Sequence, residues 1–353
     1  MSPTPERGVV MLVVLFYALL LASAVATFAT RSTVDAAVSR NREDAARAEA
    51  LAQGGVELAK ALLLEDRIEE ATGAMPAIDG GLDVWARGLD VPLEDGSELR
   101  IRMEDTGARL NLNALFQRND TGELVARKQS EPFLVALIAK AIDDLALPPA
   151  EAKTYDPTAL AENLIDFVDS DDVRVRGGPE DAYYAGLDPP VIPGRDKDGP
   201  LLSVEDLHLV QGFDARLVGA LEPYVGVYPF APGGCGHESV GCGINLNTAP
   251  PHVLSLLYYD DGVDLRLAPQ DVVRRILQIR AAGGAICPAA QQDDGCTPIG
   301  ELVTNAIFPP PTFSAVLFVV HAEARVHGVR RTIEAVLDRS QGTQIRLLSW
   351  QLR

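Results

Sequence analysis

Residues 9–30 read VVMLVVLFYALLLASAVATFAT, an apolar run of 22 residues without a charged side chain, and they follow the short leader MSPTPERG. A helix of about 20 apolar residues is long enough to cross the hydrocarbon core of a bilayer. The run exceeds the apolar core of about 7–15 residues found in ordinary secretory signal peptides, and the leader holds one basic residue, Arg7. We therefore expect this segment to stay on the protein as a membrane anchor.

The leader junction indicates how the anchor is processed. Arg7, Gly8 and Val9 resemble the cleavage site of the type IV pilin class of prepilins, whose leader is cut after a glycine. In that class the apolar segment serves as membrane anchor and fibre core. The resemblance makes Gly8 the cleavage position and Val9 the N-methylated first residue. Val13 then takes the fifth position, where most pilins carry glutamate.

Two other interpretations of the same segment stay open. The triplets ASA at 22–24 and AVA at 24–26 fit the small-x-small cleavage pattern of a secretory signal peptide. A plain signal anchor has a similar composition. If the segment is a signal peptide, we expect the chain to be a periplasmic Ca²⁺-binding or hydrolytic protein.

Helical character continues beyond the apolar run, as far as Leu64. Residues 31–64 are rich in Ala, Leu, Glu and Arg, which favour helix, and their apolar positions recur every three or four residues. No proline interrupts 9–64. A continuous helix of this span would be on the order of 80 Å long, apolar all round in its first half and amphipathic in its second. A membrane helix followed by a separate soluble helix is the alternative.

The composition limits the functional classes. The chain of 353 residues has 50 acidic and 31 basic residues, a net charge of −19 and a pI near 4.6. Binding to nucleic acid needs a basic face, so we exclude it as a partner. The five histidines lack metal-ligand spacing, and the sequence holds neither a Gly-x-Ser-x-Gly elbow nor a phosphate-binding loop. We therefore predict that the protein is not an enzyme.

Strand patterns flank a long helical region. Residues 99–103 alternate as a strand, and 313–326 and 329–337 read as a hairpin around His327 and Gly328. We predict helices at 131–147, 159–168, 204–211, 215–222, 269–281 and 299–306, and a last strand at 345–352. LNLN at 110–113 and INLN at 244–247 each precede helices, which indicates a weak internal repeat.

We therefore predict an α+β pilin fold, in which a long N-terminal helix packs on an antiparallel sheet. A large inserted all-α domain of two small helical subdomains divides the sheet. The predicted units are the leader 1–8, the transmembrane or fibre-core helix 9–30, its amphipathic continuation 31–64, the first part of the head 65–110, a first helical subdomain with an acidic loop 111–225, a second helical subdomain 226–311 and the C-terminal strands of the head 312–353.

The densest charge cluster lies between Asp156 and Asp181, with eight acidic residues against two arginines. Carboxylates this close repel one another unless a cation lies among them, and oxygen ligands suit Ca²⁺. The EF-hand template matches only in part, because Val173 and Arg174 occupy positions that want a polar ligand and glycine. A solvated acidic loop is the alternative. The candidate metal ligands are Asp166, Asp169, Asp171, Asp172, Glu180 and Asp181.

The four cysteines form two local pairs, Cys235 with Cys242 and Cys287 with Cys296. Spacings of Cys-x6-Cys and Cys-x8-Cys do not suit zinc, for which Cys-x2-Cys is typical. Behind an export signal disulfides are the natural interpretation, and each local pair closes a short loop.

With five further motifs in this order, the chain resembles the minor pseudopilin K family of type II secretion systems over essentially its full length. The motifs are GARLNLN at 107–113, LIDFVDSD at 164–171, GGPEDAYY at 177–184, LSVEDL at 202–207 and INLNTAP at 244–250. The chain departs from the family pattern in a Cys/Gly-rich loop at 231–243 and in Glu6 of the leader. The absence of glutamate at Val13 is characteristic of the same family.

The resemblance implies a non-enzymatic subunit at the tip of a short pseudopilus, where it helps to initiate and cap the fibre during export across the outer membrane. It implies a complex with minor pseudopilins I and J, contacts with minor pseudopilin H and the major pseudopilin, processing by prepilin peptidase and contact with the inner-membrane assembly platform. It also implies a single inner-membrane span, a periplasmic head and structural Ca²⁺ in the inserted domain. A tip minor pilin of a type IV pilus is the nearest alternative.

Overall fold

The computed structural model describes residues 6–72, 78–194, 196–228, 243–260, 265–288, 296–303, 306–340 and 344–353. Its α-helices are α1 (Glu6–Ala71), α2 (Val84–Arg87), α3 (Ser130–Asp144), α4 (Pro149–Ala152), α5 (Pro157–Val168), α6 (Asp181–Tyr184), α7 (Ala215–Leu221), α8 (Pro251–Leu254) and α9 (Gln270–Ala281). Short 3-10 helices lie at Thr106–Ala108, Leu112–Leu115, Val204–Leu209 and Ile299–Glu301.

The strands are β1 (Leu89–Pro92), β2 (Glu98–Asp105), β3 (Leu110–Asn111), β4 (Phe116–Arg118), β5 (Leu124–Ala126), β6 (Val225–Gly226), β7 (Tyr258–Asp260), β8 (Leu265–Leu267), β9 (Ala285–Cys287), β10 (Cys296–Pro298), β11 (Ile307–Phe308), β12 (Leu317–Val326), β13 (Val329–Asp338) and β14 (Arg346–Leu352).

Helix α1 is continuous, as the sequence predicts, and spans 66 residues or on the order of 100 Å. Its first half is exposed on all sides, whereas a stripe in its second half is buried. The stripe consists of Ala48, Ala52, Val56, Ala59 and Leu63, none more than 5% exposed. The spacing of three or four residues places these side chains on one face of the helix. The alternative prediction, a membrane helix followed by a separate soluble helix, is therefore excluded.

The stripe packs on a five-stranded antiparallel sheet of order β1-β2-β12-β13-β14. The predicted hairpin is confirmed: β12 and β13 pair from Leu317 with Asp338 to Val326 with Val329. Its two turn residues, His327 and Gly328, have φ values of 46° and 89°, as a two-residue type I′ turn requires. The predicted pilin fold, a long helix on an antiparallel sheet, is confirmed.

Residues 106–316 form the insertion between β2 and β12, two strands that pair with each other. Helices are its longest regular elements, but the short strands β3–β11 pair in twos and threes, which the prediction of an all-α domain did not include. Aromatic and β-branched residues in the connections, such as those of β7 and β11, favour extended backbone. The predicted helices at 204–211 and 299–306 are short 3-10 helices instead.

The two halves of the insertion share one hydrophobic core rather than two. Buried side chains from Leu110 through Phe167 and Leu254 to Phe308 belong to a single cluster. Phe133 of α3 packs against both Tyr258 and Phe308, with ring centroids 5.3 and 5.9 Å apart. The insertion therefore contains two repeats but behaves as one packed body.

The repeated asparagine motif has the same structural role in both halves. In each, the first asparagine accepts a hydrogen bond from the backbone N–H of the second, Asn111 from Asn113 and Asn245 from Asn247. The second asparagine then uses its amide as a substitute peptide group. Asn113 bonds the backbone N–H and C=O of Leu201, and Asn247 bonds those of Ile286. The internal repeat is thus a repeat of buried polar contacts.

Glycines 54 and 55 offer a matched test of the helix–sheet contact. A Cβ at Gly55 would lie 3.0 Å from both Ala322 Cβ and Leu99 Cδ1, whereas a Cβ at Gly54 would have nothing within 4 Å. We expect Gly55→Leu to lower the free energy of unfolding by about 1–3 kcal/mol through overpacking. Gly54→Leu should leave it unchanged or raise it by up to about 1 kcal/mol, because leucine favours helix. Thermal unfolding of the two variants measures this difference, and equal destabilisation would contradict the packing described.

Candidate metal site and assembly surfaces

The acidic loop begins where α5 ends. Asp156 caps the start of α5 by accepting hydrogen bonds from the N–H groups of Thr158 and Ala159, and Pro157 occupies the first turn. The helix ends at Val168, and Asp169 leaves it in extended conformation. Ser170 then pairs with Leu124 of β5 through two hydrogen bonds of 2.9 Å. The first carboxylate of the loop is therefore fixed to both α5 and β5.

A tight turn brings the far side of the loop back to Asp169. Val173 and Pro179 form an antiparallel bridge, and the N–H of Arg174 donates to the carbonyl of Gly178 at 3.0 Å. The turn needs φ values of 84° and 99° at Gly177 and Gly178, a left-handed region that side chains rarely adopt. The glycine pair in the sequence therefore serves to return Glu180 to the end of α5.

Asp169, Asp171 and Glu180 converge at the closed end of the loop. Each offers a carboxylate oxygen, and these oxygens lie within 4.8 Å of one another. Oxygens that share one Ca²⁺ at 2.3–2.6 Å lie no more than about 5 Å apart, so the spacing fits a single ion. Within the described residues, Asp169 Oδ1 and Glu180 Oε2 are buried without a hydrogen-bond partner. Two orphaned buried anionic oxygens are the donor set that a hard cation needs.

The electrostatics of the loop agree with this geometry. Burial, together with the charges of Asp171 and Glu180, raises the pKa of Asp169 to about 8. Burial raises the pKa of Glu180 to about 7, although Lys197 acts in the opposite direction. Both carboxylates are thus held in surroundings that oppose their negative charge, and a divalent cation would offset this cost.

The other predicted ligands are placed differently. Asp166 is buried and accepts a hydrogen bond of 2.9 Å from the N–H of Val175. Asp172 is exposed, and its backbone carbonyl accepts from the N–H of Glu180. The side chain of Asp181 lies outside the described residues. The structure therefore brings together three of the six predicted side chains.

Lys197 is the main residue of this site that the sequence did not indicate. Its ammonium lies 2.6 Å from Glu180 Oε1 and also contacts Asp198 Oδ1, and its side chain has no exposed surface. The sequence around Lys197 does not predict this contact, because a single lysine in a Pro/Gly-rich loop is normally solvated. Lys197 becomes buried because the loop that follows α6 folds against Glu180.

A second group of carboxylates, Asp66, Glu70 and Asp79, surrounds Arg339 at the junction of α1 with the head. The Arg339 guanidinium donates to both oxygens of Asp79, at 2.7 and 2.6 Å, and contacts Asp66 Oδ2. Burial raises the pKa of Asp66 and of Asp79 to about 6, even though Arg339 acts in the opposite direction. Because an arginine already occupies this cluster, its role is to fasten the end of α1.

Asp105 joins the insertion to the sheet. It ends β2, is buried, and accepts hydrogen bonds from the N–H of Gly107, the amide of Asn245 and the hydroxyl of Thr248, at 2.7–2.8 Å. Burial raises its pKa despite these donors. The residues just before the first asparagine motif and those of the second are therefore held by one carboxylate.

The cysteines after α9 lie on neighbouring strands. Cys287 of β9 and Cys296 of β10 form a disulfide across a parallel pair. Cys235 and Cys242 lie outside the described residues, so their predicted pairing stays a prediction.

Two apolar surfaces are exposed. Among the described residues, α1 is one helix that is long and apolar enough, by length and composition, to cross a membrane, and the apolar window of that helix has no buried residues. Val13 is 47% exposed on it. The second surface is the edge strand β14, where Leu347, Leu348, Trp350 and Leu352 are each at least 40% exposed.

Comparison with known proteins agrees with the motifs. The family model described as type II secretion system (T2SS), protein K, matches residues 108–230. Type II secretion system protein K of Aeromonas hydrophila is 29% identical over 274 residues, covering 75% of this chain and 73% of its own length. The protein of the same name from Klebsiella pneumoniae is 28% identical over 280 residues, covering 79% and 76%. The chain is therefore similar to protein K of type II secretion systems over most of its length.

The fold of the chain also resembles a solved structure. The GspK-GspI-GspJ complex from the type 2 secretion system of enterotoxigenic Escherichia coli contains a chain with 20% identity and a TM-score of 0.52. The match covers 92% of the present chain and 99% of the other. The segment that the family model matches contains the first asparagine motif, the acidic loop and Lys197.

Proposed function

We propose that this chain is a protein K of a type II secretion system, a non-enzymatic subunit at the tip of the pseudopilus, where it helps to initiate and cap the fibre. The observation that carries the proposal is the pairing of an exposed apolar helix with a head enlarged by residues 106–316. The helix enters the fibre in the same way as those of its neighbours. The enlarged head blocks the addition of a further subunit above it.

The missing carboxylate at Val13 supports the tip position. In a pilus, glutamate at the fifth position pairs with the N-terminal amine of a neighbouring subunit within an apolar core. A buried carboxylate without such a partner costs several kcal/mol. A subunit with nothing above it has no amine to neutralise, so valine at this position avoids the cost.

We further propose that the apolar helix spans the inner membrane before assembly and leaves the head in the periplasm. Processing by prepilin peptidase after Gly8 releases Val9 as the first residue. The partners are minor pseudopilins I and J, as in the complex named for the structural relative, with H, the major pseudopilin and the assembly platform as further contacts. A structural Ca²⁺ held by Asp169, Asp171 and Glu180 orders the acidic loop of the insertion.

The mature N-terminus tests the anchor. We expect protein purified from the membrane fraction to begin at N-methylated Val9, because the leader is removed after Gly8 while the apolar segment is retained. N-terminal sequencing and intact mass measure this directly. In a Gly8→Arg variant the leader should remain attached. A native start near Val25 or Thr27 would indicate a signal peptide and overturn the fibre assignment.

Restoring the carboxylate tests the tip position. We expect Val13→Glu to impair placement at the tip and to lower secretion. The new carboxylate can pair with the N-terminal amine of a neighbouring subunit, as glutamate does in the subunits below the tip. Val13→Gln is the matched control, because it adds a polar group of the same shape without the charge. The readouts are co-purification with pseudopilins I and J and secretion of a reporter. Assembly and secretion that are unchanged in Val13→Glu would contradict the explanation.

Calcium binding is tested on the detergent-solubilised full chain. We expect Ca²⁺ at one hundred times its dissociation constant to stabilise the folded protein by about 2.7 kcal/mol relative to chelator. Mg²⁺ should have less effect, because it requires shorter distances and stricter octahedral geometry. Asp169→Asn should remove the effect and Asp172→Asn, three residues away and exposed, should keep it. Equal responses of the two variants would show that the ligands are assigned wrongly.

A further inference from the structure

The carboxylate of Glu180 faces two different environments. Its Oε1 accepts a hydrogen bond of 2.6 Å from the Lys197 ammonium, and neither side chain is more than 1% exposed. Its Oε2 is buried, has no hydrogen-bond partner among the described residues, and belongs to the cluster with Asp169 and Asp171. One carboxylate therefore lies between a cation that belongs to the chain and a position suited to an external one.

The lysine is held in place by more than its charge. Asp198, the next residue, contacts the same ammonium, and its N–H donates to the carbonyl of Phe167 at 3.0 Å near the end of α5. Its second carboxylate oxygen accepts from the N–H of Gly194 at 2.9 Å, which closes the loop on itself. The ammonium also lies 5.7 Å from the ring centroid of Tyr184, a favourable placement for a cation. The contacts of Asp198 and the ring of Tyr184 thus hold Lys197 beside the acidic cluster.

We propose that Lys197 is a built-in counter-ion that shares Glu180 with a divalent cation, limits the site to one ion and weakens its binding. In the ion-free protein the ammonium compensates part of the charge of Asp169, Asp171, Glu180 and Asp198. When the ion binds, it takes Glu180 Oε2 while Lys197 keeps Oε1. The fixed positive charge of Lys197 repels the cation and lowers the affinity of the site for it. The same charge stabilises the acidic loop when no ion is bound. This inference rests on the proposed calcium site.

The contact makes a specific prediction for Lys197→Met, which keeps the apolar stem and removes the charge. Isothermal titration of the detergent-solubilised full chain with CaCl₂ should give one site in the wild type. In the variant, Ca²⁺ should bind about tenfold tighter or more, or a second ion should enter beside Asp198. The increase in Tm between chelator and Ca²⁺ should also become larger, because the ion-free variant lacks the compensating ammonium of Lys197. Lys153→Met, an exposed lysine of the same insertion, is the control and should behave as the wild type.

The outcomes separate the two proposals. Wild-type binding with an unchanged affinity and stoichiometry in Lys197→Met would overturn the role of Lys197 and leave the calcium site standing. Binding by the variant alone would overturn both, because Lys197 would then exclude the ion from the native protein instead of sharing Glu180 with it. Absence of binding in both would overturn both. A variant that folds only in Ca²⁺ supports the proposal, since the ion then replaces the ammonium. A variant that folds in neither buffer overturns it.

Discussion

The pairing of β2 with β12 is the constraint on which the rest of the molecule depends. The two strands run side by side from Asp105 opposite Phe318 to Glu98 opposite Arg325, yet residues 106–316 lie between them in the chain. Without this long-range contact the sheet has no centre, and the stripe of α1 has no surface on which to pack. The pairing also requires the insertion to leave and rejoin the sheet at nearly one point.

Asp105 meets that requirement chemically. It is the last residue of β2, and its carboxylate binds both the start of the first repeat and the second asparagine motif. A buried carboxylate that accepts several hydrogen bonds is satisfied only when all its donors are in place. The connection between head and insertion is therefore cooperative. Arg339 likewise holds separate segments together, because its guanidinium binds Asp66 of α1, Asp79 and the backbone carbonyl of Ala315 just before β12.

The elements that could be predicted from the sequence are those whose signals are local. The continuous helix follows from composition and spacing, and the hairpin at His327 follows from alternation and a glycine. The contacts that could not be predicted join residues far apart in the chain. Arg339 and Asp79, for example, lie outside the regular elements and 260 positions apart. Lys197 is a similar case, because a lysine becomes part of a site only when folding removes it from water. The acidic loop was found through its charge, but charge alone did not distinguish Asp169 from Asp172.

The buried charges of this head follow one arrangement in which each anionic cluster contains a cation of the chain itself. Arg339 lies among Asp66, Glu70 and Asp79, and Lys197 lies between Glu180 and Asp198. Within the described residues, the two clusters differ in how completely their carboxylate oxygens are hydrogen-bonded. Arginine offers several donors in a fixed fork and donates to both oxygens of Asp79, whereas Glu180 Oε2 and Asp169 Oδ1, in the cluster beside Lys197, have no hydrogen-bond partner in the part of the chain that the structure describes. The first cluster is therefore complete as a structural fastening. Within the described ranges the second retains two buried carboxylate oxygens without a hydrogen-bond partner, and such oxygens are the ligands that a hard divalent cation prefers.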